Sequence, residues 1–299
     1  MSWQPIVVGV DASPEAAHAA AFAMGAAERA GTTCHIVHAA RDVLATADVP
    51  ANRPYRQALM EQARGEIRAA LADAVPAAGL KTLSVRIGAA PVALKGAVAA
   101  LGAELIVLGG KHHSALGRWF GGSTSLHVAR TTEVPVLVTA GAPAAIRRVL
   151  VAVDLSGAAR PTLAAAERYA AMFGAELRAV SVFEPLPVIP EVPPPDPTAY
   201  YALSEELLER DMWPLIRTRG GEKVVRYGAV VETIVREAAE WGADLLIVGS
   251  HGKGWAERVL VGSVTERLLN HLPTSVLVVP VGAAAVLEPT EANLAAALA

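Results

Sequence analysis

The chain contains its own template. Residues 243–263, ADLLIVGSHGKGWAERVLVGS, restate residues 103–123, AELIVLGGKHHSALGRWFGGS, with Gly262 falling 140 positions after Gly122. A repeat of that length within 299 residues means two copies of one domain, so each copy must close its own core. The copies differ at one informative place. The second carries Gly249, Gly252 and Gly262-Ser263 in the spacing G-x2-G-x9-G-S; the first has Gly109 and Gly122-Ser123 but His112 where the middle glycine belongs.

Each copy opens on an apolar, β-branched run that ends in an aspartate: Ile6 to Val10 before Asp11, and Val149 to Val153 before Asp154. Such runs suit strands covered on both faces. Ser13-Pro14 and Ser156 then precede alanine-rich stretches, which predicts N-capped helices stopping at Gly31 and Gly174. Second strands follow (HIVHA and LRAVSVF), then helices near Pro54 to Ala74 and Tyr200 to Arg219, third strands, and helices over 91–101 and 231–241. A fourth strand, Glu104 to Leu108 or Asp244 to Val248, runs into the glycine loop. A helix from Ser123 or Ser263 and a last strand, Pro135 to Thr139 or Ser275 to Val279, complete the unit. This alternation predicts an α/β fold of two tandem, doubly wound, five-stranded parallel sheets, with domains at 1–143 and 144–282 and a tail at 283–299. In such sheets ligands bind beyond the carboxyl ends of the strands, where strand order reverses. Both aspartates and both glycine loops belong there. The proline-dense stretch from Glu184 to Tyr200 is expected to be an extended surface excursion, serving either as a stiff loop over the pocket or as a partner ligand.

Glycines allow backbone N–H groups to turn toward an anion with no side chain in the way, and a helix start adds unpaired N–H groups and the positive end of its dipole. Gly249, Gly252 and Gly262-Ser263 therefore suit a polyphosphate, with Lys253 and Arg258 as either phosphate-directed or solvated cations. Ser263-Val264-Thr265-Glu266 also has the form of a capping box, with Ser263 as N-cap. Asp154 and Asp11 are read either as acceptors for an adenine amino group or ribose hydroxyl, or as turn residues.

Net charge of −3 implies no nucleic-acid surface, and no uninterrupted apolar run reaches membrane-spanning length. The segment MSWQPIVVGVDAS has no basic region leading into a long apolar stretch, so no secretory signal is expected and the protein is read as soluble and cytoplasmic. The single cysteine, Cys34, lies in a strand candidate and is expected to be a small buried hydrophobe. Six of the eight histidines fall in the first copy; convergence of His38, His112 and His113 near Asp11 would offer a site for a metal such as zinc, although no finger-type spacing supports one.

These motifs make the chain similar to a tandem universal stress protein, over about residues 4–140 and 146–281. The resemblance implies ATP as ligand, with Mg2+ as a companion. By position it implies Ala152 and Asp154 near adenine, Val182 at the second-strand end, and Val248, Gly249, Gly252, Gly262, Ser263 and Val264 around ribose and phosphates. In the first copy the matching positions are Gly9, Asp11, Ala39, Leu108, Gly109, His112, Gly122, Ser123 and Thr124. His112 places a side chain where the family has none, which leaves that copy a weaker site, a different one, or none. The family further implies last strands that pair the domains into a pseudo-dimer, a homodimer of chains, and a nucleotide-responsive regulator rather than an enzyme. Slow ATP hydrolysis and autophosphorylation occur in parts of the family. Related doubly wound enzymes are disfavoured: there is no Ser-Gly-Gly-x-Asp-Ser loop after either first strand, no HIGH-type signature and no Walker B segment. An interaction module with vestigial pockets is the remaining class.

Overall fold

Nearly continuous β-branched runs become strands with no wet face. The computed structural model describes residues 2–41, 53–110, 123–142, 145–185, 196–218, 220–250 and 262–281, and the chain divides principally at 144/145 into two units. In the first, β1 (Ile6–Val10), α1 (Pro14–Ala30), β2 (Cys34–Ala40), α2 (Arg53–Leu71), the short α3 (Ala77–Leu80), β3 (Ser84–Ile87), α4 (Ala90–Leu101), β4 (Leu105–Gly110), α5 (Ser123–Thr131) and β5 (Val136–Ala140) follow in turn. The second has β6 (Arg148–Ala152), α6 (Ala159–Phe173), β7 (Glu176–Phe183), α7 (Pro197–Leu207), β8 (Glu222–Tyr227), α8 (Val230–Trp241), β9 (Leu245–Gly249), α9 (Ser263–Asn270) and β10 (Ser275–Val279).

Each unit holds five parallel strands, ordered β3-β2-β1-β4-β5 and β8-β7-β6-β9-β10. The opening strand is central in both: Ile6 pairs with Cys34 on one side and Leu105 on the other, Val149 with Leu177 and Leu245. Ile6, Val7 and Val8, like Val149, Leu150 and Val151, are fully buried. In the first unit α1 packs with α2 and α4 with α5, the division between two faces that right-handed crossovers produce when the chain winds first one way and then the other from its central strand. Gly31 and Gly174 end α1 and α6 at φ 64, a left-handed conformation that glycine adopts without strain.

Three local expectations are corrected. The helix expected from Tyr200 starts earlier, at Pro197, because the Asp196 carboxylate accepts from Thr198 N at 2.9 Å and proline is preset for the first turn. It also ends earlier: Leu208–Met212 widens into a π turn and Trp213–Leu215 tightens into a 3-10 turn around Pro214, which has no N–H to give. The end of the proline-dense stretch is thus helical, while 186–195 lies outside the described residues. Ser156 is not the N-cap of α6, which begins at Ala159; its hydroxyl accepts from Ala158 N at 3.3 Å within the preceding turn. Ser13, by contrast, caps α1 through Ala16 N at 3.3 Å. Among the described residues no helix is long and apolar enough to cross a membrane, and the tail at 283–299 lies outside them.

Candidate functional site

In the second unit strand order reverses between β6 and β9, and a cavity of about 610 Å³ opens beyond their carboxyl ends. Its floor is the strand ends: Ala152 closing β6 with Val153 and Asp154 after it, Val180 to Phe183 of β7 with Glu184 after it, and Val248 and Gly249 of β9. Its sides are the first turn of α6 (Ala158, Ala159, Thr162), Val230 and Ile234 of α8, Tyr200 of α7, and Gly262 to Glu266 at the start of α9. The size is that of an ordinary small-molecule site.

The start of α9 is tied to the sheet. Ser250 N donates to Val279 O and Gly262 N to Ser250 O, each at 2.8 Å, and the buried Thr265 hydroxyl donates to Gly249 O at 2.7 Å. The capping-box expectation is corrected here. Glu266 N donates to Gly262 O at 2.9 Å, so Gly262 occupies the cap position and Ser263 is the first helical residue. Two consequences follow. The Gly262 N–H is already spent on Ser250, so Gly262 offers the cavity surface rather than a donor. The N–H groups of Ser263, Val264 and Thr265 are first-turn groups without an acceptor inside the helix, and they carry the positive dipole end.

Eight residues singled out from the sequence line this one cavity: Ala152, Asp154, Val182, Val248, Gly249, Gly262, Ser263 and Val264. Gly252 and Lys253 lie outside the described residues, as do Arg258, His112, His113 and Gly122. Asp154 has a turn duty as well, accepting from Ser156 N at 3.0 Å; Asp11 does the same for Ser13, through both its N–H (3.0 Å) and its hydroxyl. Gly109 has a packing duty: a β-carbon there would lie 2.6 Å from the carbonyl carbon and oxygen of Glu15, so the glycine lets the alanine-lined face of α1 settle onto β4. Ser123 opens α5. His38 donates from Nδ1 to Val10 O at 2.8 Å, and among the described residues no group of three or more His, Cys, Asp or Glu side chains is arranged to hold a metal. Cys34 is buried, and desolvation pushes its thiol up to about 12.

Sequence reasoning missed the aromatic side of the cavity. Phe183 and Tyr200 line it, their rings 6.5 Å apart and nearly perpendicular at 78°. Behind them Tyr201 lies 4.6 Å from Tyr227, whose hydroxyl donates to the Glu205 carboxylate, a bond that retains the proton and pushes the phenol up to about 12. The available signals were Asp196-Pro197 as a helix start and aromatic residues closing two strands. Also missed was the fastening of α8. Glu237, 3% exposed, takes Arg178 on one oxygen and Arg226 on the other, both at 2.7 Å, and Arg178 stacks over Trp241 at 4.6 Å.

The model of the universal stress protein family matches the chain twice, at residues 2–140 and 145–280. The chain belongs to the universal stress protein family. It is a tandem member: a universal stress protein of Mycolicibacterium smegmatis is 29% identical over 290 residues, covering 92% of this chain and 96% of that one. Among solved structures, a universal stress protein from Archaeoglobus fulgidus superposes with a TM-score of 0.64 at 20% identity, over 93% of this chain and 98% of that one, which establishes the shared fold. A universal stress protein solved in complex with cAMP matches 46% of this chain and 99% of its own at 28% identity, with a TM-score of 0.34.

Proposed function

We propose that this universal stress protein binds ATP in its second unit and acts as a nucleotide-responsive stress regulator. The observation that carries the reading is the meeting, around one cavity of about 610 Å³, of a strand-end carboxylate (Asp154) and the first turn of α9, whose leading N–H groups have no acceptor within the helix. A phosphate tail suits the amide end, where backbone dipoles favour negative charge, and a base with its ribose suits the Asp154 and Val182 end. Mg2+ would serve as counter-ion to the phosphates, and no protein carboxylate is assigned to it. ATP is read as a ligand whose occupancy is sensed rather than as a substrate turned over rapidly. The first unit, with His112 in the loop and Gly109 committed to packing, is read as a weaker site or none.

Calorimetric titration of ATP into the protein and into Gly252→His tests this. One strong site per chain is expected, lost in the variant; two equal sites, or binding that survives the substitution, would count against the assignment. Rapid multiple-turnover product formation would replace the regulator reading with an enzymatic one.

A further inference from the structure

The amide end of this cavity is blind to the base, because N–H groups and a helix dipole recognise charge alone. Whatever discriminates between nucleotides must sit at the other end, where the aromatic wall stands.

That wall is not a requirement of the fold. The last register pair of β7 and β8 is Phe183 opposite Tyr227; the equivalent pair in the first unit is Ala40 opposite Ile87. The backbone at the two places is the same, with Gly228 N donating to Phe183 O at 3.1 Å and Gly88 N to Ala40 O at 2.9 Å. A strand end that accepts alanine and isoleucine in one copy has been given two rings in the other, beside the cavity.

The rings are also held in place. Phe183 is buried and packs on Tyr200, Tyr201 and Tyr227 at centroid distances of 6.5, 6.5 and 6.2 Å, and Tyr200 lies 5.5 Å from Tyr201. These separations lie in the range where aromatic pairs attract, and the Tyr227–Glu205 bond fastens the cluster to α7. Tyr200 stands at the edge of this scaffold: it lines the cavity yet is 37% exposed, so its ring is only partly covered by its neighbours.

We infer that Tyr200 is the base-stacking residue of the site, receiving the flat face of a purine and setting a preference for purine over pyrimidine nucleotides. This rests on the nucleotide reading above and adds its source of selectivity. Stacking is ordered here at little entropic cost, because the ring is already packed and moves about two torsions only.

The test is calorimetric titration of ATP and CTP into wild type, Tyr200→Leu, Tyr200→Phe and Leu203→Ala, the last an exposed position on the same helix. Tyr200→Leu keeps apolar bulk and removes the ring; it is expected to weaken ATP about fivefold or more and to narrow the ATP–CTP gap. Tyr200→Phe, which retains the ring, and Leu203→Ala are expected to match wild type. ATP affinity or the ATP–CTP gap left intact in Tyr200→Leu overturns the stacking role while leaving ATP binding in place. So does an equal loss in Tyr200→Phe. A wild type that takes up no ATP overturns the nucleotide reading itself, and this inference with it.

Discussion

Glu237→Ala addresses how the cavity keeps its shape. Glu237 stands on α8, whose Val230 and Ile234 wall the site, and its two oxygens bind Arg178 of β7 and Arg226 of β8 at 2.7 Å each. Removing one partner of a buried ion pair costs about 3–5 kcal/mol, most of it from the charge left behind. Here the remaining charges have outlets. Arg178 keeps Glu222, to which its Nε donates at 2.6 Å, and the Arg226 side chain is 40% exposed, so water replaces part of what is lost. The expected loss is therefore about 2–3 kcal/mol, below the full range. For a unit of this size that is a fall of roughly 4–12 °C in melting temperature. Urea unfolding followed by circular dichroism measures it, with Glu237→Gln as the control that keeps shape and loses charge; about half the loss is expected there. A Glu237→Ala protein within about 0.5 kcal/mol of wild type would refute the reasoning, since that is the range of surface changes with no special duty.

Two further outcomes are expected in the first unit. Gly109→Ala should destabilise by about 1–3 kcal/mol, because its new β-carbon meets the backbone of Glu15 at 2.6 Å and backbone cannot swing aside as a side chain would; an unchanged urea midpoint would contradict this. Cys34 should resist a thiol-labelling reagent in the native protein at pH 8 and react once per chain after denaturation. Its raised value also fixes a sign. Between the ordinary thiol value of 9.0 and about 12 the unfolded chain loses the thiol proton while the folded one retains it, so this stabilising contribution is complete below 9 and is lost as pH rises through that window. Stability in Cys34→Ala should show a correspondingly weaker alkaline decline.

The parts of the fold carried by local patterns were legible in the sequence. Val149 to Val151 could only be a strand with both faces covered, Gly31 and Gly174 marked helix ends, and Gly249 with Gly262-Ser263 pointed to the crevice their residues now line. What escaped depends on partners distant along the chain or on a one-residue choice. Ser263 and Gly262 are both plausible caps, and a single backbone bond from Glu266 decides between them. Gly109 looks identical to a ligand-facing glycine until Glu15 is seen lying on it. Tyr200 was obscured because the prolines before it dominate the local signal, while its contact with Phe183 depends on where α7 lands against β7.

The exchange of Ala40 and Ile87 for Phe183 and Tyr227 bears on why fusion is useful. In an assembly of identical single-domain subunits every substitution is duplicated by symmetry, so a change that sharpens one pocket alters its twin equally. Joining two copies in one polypeptide severs that linkage. Each half is then free to change its own strand ends without altering the other, and the two clefts of one polypeptide need not remain equivalent.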